Sequence, residues 1–322
     1  MSKNAALLIL VVFMFSVVMC FCCFVLFAVS SIVSGGYISG IDSTVLLDGD
    51  FANTVAVIDL DGVITTEPLV DLFGATTTDM TTSVISKIDH AINNDGIKGV
   101  ILRVDSPGGE VYATRMIYNK LVELQEAGKP LVVLMQDVAA SGGYYVSAPA
   151  DYIVASEMTL TGSIGVVFQT TDLTGLYDKI GIKQITIANS EGELKVLEDL
   201  DDPQSDGYKV LQGVADDVQD NFINVVAQGR GLSVDQVKKI ADARVFSGKQ
   251  ALEAGLVDEL GEQSVAFARI SEILEIENPR FILLQDQENS FNSLMISLQN
   301  SLAPWSLLSK DKEFNIKYLL HL

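Results

Sequence analysis

No charged residue occurs between Lys3 and Asp42 of this 322-residue chain. Inside that window Ala5 to Val29 reads AALLILVVFMFSVVMCFCCFVLFAV, 25 residues with Ser16 as the only clearly polar side chain. About 20 helical residues span a bilayer core, whereas the apolar part of a cleaved signal peptide runs to about 7–15. The stretch therefore predicts an uncleaved N-terminal transmembrane helix. Lys3 and the N-terminal amine precede it, and Asp42, Asp48 and Asp50 follow. The positive-inside bias then puts the N-terminus in the cytoplasm and the bulk of the chain on the extracytoplasmic side. Cys20, Cys22 and Cys23, the only cysteines, all fall in the span. They read as apolar filler, with palmitoylation as the alternative, and leave none for a disulfide elsewhere.

Charge narrows the partners. Lys and Arg number 21 against 42 Asp and Glu, a formal net charge of -21. Such a surface repels nucleic acid, whose recognition needs clustered cations. Apolar residues make up 48% of the chain, enough for a buried core and too many for general disorder. The only histidines are His90, inside a predicted helix, and His321, next to the last residue. Neither suits a metal cluster or a Ser-His-Asp triad, so no metal and no cofactor is implied. A hydrolase built on this chain would need another base.

The organisation reads as a membrane anchor over 1–33, a Gly-, Ser- and Asp-rich linker over 34–53, a folded domain over 54–285 and a tail over 286–322. The tail mixes Leu and Ile with Asn and Ser, a pattern open to an amphipathic helix, an oligomer contact or disorder. Within the domain, VAVIDL (Val55–Leu60), GVILRV (Gly99–Val104), Leu131–Met135 and Tyr152–Ala155 are short apolar, β-branched runs that predict buried strands. Helical spacing appears over Ser83–Asn94 and Glu110–Ala127, the second ended by Gly128 and Pro130. Strands alternating with helices of this length predict parallel βαβ units and an α/β fold. The second half is more helical: Gln204–Gly229, Ser233–Ala241 with Ser233 as N-cap, and Val265–Ile276, before a last strand at Phe281–Leu284.

Three glycine-bearing turns carry the chemistry. DSPGG (Asp105–Gly109) follows a strand and precedes a helix. Its glycines leave backbone N–H groups uncovered, which suits half of an oxyanion hole, or it is a structural turn. AASGGYY (Ala139–Tyr145) puts Ser141 among small residues where a helix should begin. That is the logic of a nucleophile elbow without the GxSxG pattern; the alternative is a serine N-cap. TGSIG (Thr161–Gly165) is read as preceding a strand, with Ser163 either orienting another group or merely part of the turn.

DSPGG, AASGGYY and TGSIGV, in this order and spacing, resemble the signal peptide peptidase A (SppA) family of membrane-bound serine proteases. Arg230-Gly231-Leu232, the stretch Ala241–Phe246, Ala251 and Gly255–Asp258 extend the resemblance over roughly residues 54–275, in the short, single-repeat form of the family. The resemblance implies a ClpP/crotonase-like fold, a repeated ββα superhelix, and a Ser–Lys dyad. The nucleophile carries over to Ser141. The lysine of the family's Gly-x-x-Lys segment carries over to Lys195, in Gly192-Glu193-Leu194-Lys195. Ser163 corresponds to the serine that hydrogen-bonds this lysine, and the oxyanion donors to the N–H groups of Gly109 (or Gly108) and Gly142. The family usually has an aromatic residue before the lysine and a polar or acidic one after it; here they are Leu194 and Val196. Lys183 and Lys209 are the alternative bases.

Physical chemistry points the same way. A serine hydroxyl is a poor nucleophile until a base takes its proton. A lysine serves only when burial lowers its affinity for a proton, and apolar neighbours such as Leu194 and Val196 favour that. The resemblance further implies peptide substrates (signal peptide remnants and apolar membrane segments), a membrane location and a homo-oligomeric ring. Two other readings stay open: a crotonase-like acyl-CoA enzyme, since fold alone does not assign function, and an anchored scaffold with a decayed site.

Overall fold

A computed structural model of the chain describes residues 41–68, 78–183, 185–187 and 199–286. The membrane anchor expected over 1–33, all but the first residue of the tail expected over 286–322, and Lys195 lie outside the described residues. Among the described residues, no helix is long and apolar enough to cross a membrane.

Residues 41–286 form one unit around a nine-stranded sheet. The main path runs β1 (Ile41–Leu47), β9 (Pro279–Asp286), β2 (Asp50–Asp61), β3 (Ile97–Ser106), β4 (Leu131–Ala140), β5 (Tyr152–Ala155) and β8 (Glu259–Leu260). Every neighbouring pair on that path is parallel except β1 with β9. Two short strands lie off the path: β6 (Leu160–Gly162) pairs with the far end of β4, and β7 (Val245–Ser247) pairs antiparallel with β6.

Parallel strands are covered on both faces, which is why they read as unbroken apolar runs. Successive side chains on a strand point to opposite faces, so one run feeds two cores. Ala56, Ile58 and Leu60 of β2 enter the larger core with Leu102, Val104 and Val133. Val55 and Val57 enter the smaller one with Ile101, Val132, Leu134 and Val154. Helices α1 (Met80–Asn93), α2 (Val111–Glu126) and α3 (Gly142–Ser147) contribute to the larger core. A stripe at Ala113, Ile117, Leu121 and Leu124 is the buried face of α2. Asp79 caps α1 by accepting the Thr82 N–H at 2.8 Å.

The other helices among the described residues are α4 (Thr174–Ile180), α5 (Asp206–Arg230), α6 (Val234–Lys238), α7 (Gly248–Glu253) and α8 (Gln263–Leu274). Ala266 and Ile270 of α8 cover the smaller core, and Phe267 stacks on Phe281 with ring centroids 3.9 Å apart. α5 buries Phe222, Ile223, Val225 and Val226 near its C-terminal end, where the Gly231 αL cap stops it.

Two sequence readings change. Residues 41–47 and 50–53, read as part of a linker, belong to β1 and the start of β2. β1 is an edge strand exposed along most of its length, held by antiparallel pairing from Ile41↔Asp286 to Leu47↔Phe281, and only Ile41 and Leu46 of its side chains pack against the cores. The TGSIG turn, read as preceding a strand, instead ends one: Thr161 and Gly162 close β6, and no strand follows between 163 and 173.

Leu102 sits fully buried on central strand β3. Leu102→Ala should cost about 2–5 kcal/mol through lost burial and a residual cavity. Urea unfolding would read this as a lower midpoint, and an unchanged midpoint would contradict the packing described here.

Candidate active site

Three parallel strand ends lie side by side. Ser106 of β3 is paired with Ala139 of β4, and Ala140 of β4 with Gly162 of β6. The glycine-bearing turns that follow these strands therefore meet at one edge of the sheet. Crevices at the carboxyl ends of parallel strands are the usual ligand positions in such sheets.

Ser141 connects β4 to α3 with φ 52° and ψ −118°. A non-glycine residue at positive φ is strained, at a cost on the order of 1–3 kcal/mol, and persists only when its surroundings fix it. Here they do: its N–H donates to the Gly162 carbonyl at 2.8 Å, and its carbonyl accepts the Tyr145 N–H at 2.8 Å. The side chain makes no capping hydrogen bond, so the N-cap alternative is set aside. The half-buried hydroxyl stands off the backbone at a sharp strand-to-helix turn.

Glycines let the turns close on each other. Gly108 has φ +100°, and a Cβ there would lie 2.6 Å from the Gly142 nitrogen and 3.0 Å from the Ser141 Cβ. A Cβ on Gly109 would lie 2.0 Å from the Ile64 carbonyl oxygen, and one on Gly143 2.6 Å from the Ser106 oxygen. The two candidate donors on the first turn are thereby distinguished. The Gly108 N–H is already spent, donating to the buried Ser106 Oγ at 3.1 Å. Residue 64 bonds on either side of Gly109, from the Ile64 N–H to the Gly108 carbonyl and from the Glu110 N–H to the Ile64 carbonyl, both at most 2.9 Å. The N–H groups of Gly109 and Gly142 have no backbone acceptor among the described residues.

Ser163 lies beside Ser141, one residue beyond the carbonyl that binds the Ser141 N–H. It too has positive φ, 50°. Its N–H donates to the Arg244 carbonyl at 2.9 Å, and the Ala243 N–H donates to Ile164 at 3.2 Å. The Ala241–Phe246 segment is thus the clamp that holds the Ser163 turn. Asp242 folds back on Arg244, whose guanidinium holds the Asp242 carboxyl down at about 2. Gln219 of α5 adds a strap, its Nε2 donating to the carbonyls of Ile164 at 3.2 Å and Ala241 at 3.1 Å.

The structure thus brings Ser141, Ser163, Gly108, Gly109 and Gly142 together. Among the alternative lysines, Lys183 is exposed in an irregular stretch rather than at a strand start. Lys209 is exposed on α5, its Nζ donating to the Gln204 carbonyl and 4.0 Å from Asp206. Neither is withdrawn from water. His90 sits in the last turn of α1 beside Ser86, Asn93 and Asp95, in a hollow to which none of the three turns contributes.

Sequence reasoning missed Ser106, Thr114 and Gln219. A serine two residues before a glycine signals a side-chain turn, so Ser106 was open to detection. Gln219 carries no local signal, because its partners lie on remote loops.

Comparison with known proteins follows the same map. A model of Peptidase family S49 matches residues 123–277, and one of Clp protease matches residues 53–169. An Enterococcus faecium protein with the provisional name signal peptide peptidase SppA is 33% identical over 222 residues, covering 69% of this chain and 63% of that protein. Protease 4 of Salmonella typhi is 34% identical over 82% of this chain and 42% of its own length. The chloroplastic serine protease SPPA of Arabidopsis thaliana is 37% identical over 58% of this chain and 27% of its own length. The chain therefore spans less than two thirds of each of these relatives.

Ser106→Ala should leave the buried Gly108 N–H without its acceptor. The expected loss is about 1–3 kcal/mol, measured by denaturant unfolding. Wild-type stability in this variant would mean that the Ser106 hydroxyl does not hold the turn.

Proposed function

The chain belongs to the signal peptide peptidase A (SppA) family, and on that premise we propose that it is a membrane-anchored serine endopeptidase working through a Ser141–Lys195 dyad. The observation that carries the reading is Ser141 itself: a strained, uncapped serine beside the N–H groups of Gly109 and Gly142. Lys195 enters from the family resemblance alone.

In this mechanism the Ser141 Oγ attacks the carbonyl carbon of the scissile peptide while its proton passes to the neutral Lys195 Nζ. The carbonyl oxygen becomes an oxyanion held by the Gly109 and Gly142 N–H groups. The C–N bond breaks as the Lys195 ammonium returns that proton to the leaving amine. Water then attacks the acyl ester as its proton passes to Lys195, and the ester C–O bond breaks as the Lys195 ammonium returns that proton to Ser141 Oγ, releasing the acid and restoring the hydroxyl. Ser163 hydrogen-bonds the lysine and fixes its direction.

The remaining parts of the reading concern place and substrate. The apolar run Ala5–Val29 would anchor the domain, with its site on the extracytoplasmic side, within reach of signal peptide remnants and apolar membrane segments. Such segments bind as an added strand. Assembly into a homo-oligomeric ring is supported by apolar surface among the described residues. α4 buries no residue, and Leu176, Ile180, Ile182, Val210 and Val214 are all exposed in a single chain.

Digestion of casein and of a synthetic signal peptide tests the mechanism. Ser141→Ala and Lys195→Ala should each lower turnover at least ~10³-fold with folding intact. A fluorophosphonate should label the wild type and not Ser141→Ala. Full turnover in Lys195→Ala would remove that lysine as the base, and absence of labelling would favour a scaffold. The lysine must be neutral to accept a proton, so the rate should rise as pH increases through its pKa. A profile flat from about pH 6 to 9 would count against a lysine base.

A further inference from the structure

Thr114 lies in the first turn of α2, with its N–H donating to the Glu110 carbonyl at 3.0 Å. The residue is 4% exposed. Its hydroxyl oxygen is buried and has no hydrogen-bond partner among the described residues. A helical threonine ordinarily turns its hydroxyl back on the carbonyl four residues earlier. This one does not, and burying a hydroxyl without a partner costs stability.

Its position gives the reason. A Cβ placed on Gly142 would lie 2.7 Å from Thr114 Oγ1, 3.2 Å from the Gly108 Cα and 3.3 Å from the Gly109 nitrogen. Oγ1 thus borders the space that Gly142 leaves by having no side chain, a space the Gly109 nitrogen also borders. The hydroxyl is buried, close to that pair, and its O–H has no acceptor among the described residues.

We propose that Thr114 is a positioning residue of the oxyanion pocket. It rests on the serine peptidase reading. Acting from behind Gly142, Oγ1 sets how closely that residue approaches Gly109. The uncommitted O–H turns its positive end toward the charge that develops on the substrate oxygen. A dipole in a water-excluded site favours the charged transition state over the neutral ground state, so it acts on kcat rather than KM. The hydroxyl has no contact with substrate and takes no proton.

Steady-state cleavage of one peptide by wild type, Thr114→Val, Thr114→Ser and Ser141→Ala tests this. Thr114→Val keeps the shape and removes the unpaired hydroxyl. It should lower kcat about 3- to 10-fold, less than the loss of a direct oxyanion donor, and leave KM within about twofold. A peptide aldehyde, which forms an oxyanion on the serine, should bind more weakly by the same factor, while a product peptide should bind as before. The thermal midpoint of Thr114→Val should match or exceed that of wild type, and Thr114→Ser should retain kcat.

Unchanged kcat in Thr114→Val would overturn the assignment alone, as would a kcat loss accompanied by a lowered midpoint in both variants. Absence of Ser141-dependent cleavage in the wild type would overturn the peptidase reading and this assignment together.

Discussion

The far end of β4 is shared between two neighbours, and the site depends on that sharing. Its first half pairs with β5 and its last residues pair with β6, while β3 runs along the other side. Between Val104 and Ser106 the β3–β4 register slips, so Ser106 faces Ala139 rather than a residue nearer Met135. The slip brings the DSPGG turn level with Ser141. Thr161 reinforces the other side, its hydroxyl donating to the Ala139 carbonyl at 2.7 Å. Once the strands are so placed, backbone approaches backbone closely enough that only glycine fits at 108, 109 and 143, while at 142 a Cβ would meet the Thr114 hydroxyl.

Two carboxylates that bracket the first turn, Asp105 and Glu110, are occupied with structure. Asp105 accepts the Val138 N–H at 3.0 Å, which ties the end of β3 to the bent part of β4. Glu110 accepts from the Thr66 N–H and from both threonine hydroxyls at 65 and 66. The Thr66 N–H, then the Thr65 hydroxyl, hold its carboxyl below the usual range, so it stays ionised and makes a poor proton donor. This weighs against a carboxylic acid as the working acid next to Gly109, the arrangement a crotonase-like hydratase would need. Ser141 and Ser163 remain beside that turn with no side-chain hydrogen bond among the described residues.

Legibility from sequence tracked burial. β2 to β5 and α2 were readable because each is buried along a regular pattern, continuous for the parallel strands and at helical spacing for α2. β1 was not, because it is mostly exposed and is held chiefly by backbone pairing, with Thr44 Oγ1 donating to Gln285 Oε1 at 2.9 Å; β8 has only two residues, and β6 and β7 three each. At the site, glycine and small residues marked all three turns, and Ser141 and Ser163 could be picked out from them. Which N–H is free on the first turn was not readable, since Gly108 and Gly109 differ only in what Ser106 and Ile64 do to them. Nothing in the sequence singled out Thr114, a polar residue next to Ala113 of the buried face of α2.

Strain at Ser141 and Ser163 sets a requirement on the rest of the fold. Each residue sits one step past paired strand ends, Ala140 and Gly162, and each takes a positive φ near 50°. A turn of this kind relaxes unless both of its flanks are fixed. The first is fixed by β4 on one side and by buried α3 on the other, where Tyr144 donates to the Leu256 carbonyl and Tyr145 bonds Arg115 and Asn221. Tyr145 thereby fastens α3 to α2 and α5 at once. The second turn is fixed by β6 and by the Ala243–Arg244 backbone, with Gln219 reaching in from α5. α5 therefore braces both serines from one helix, so a displacement of α5 along its axis would disturb the two turns together.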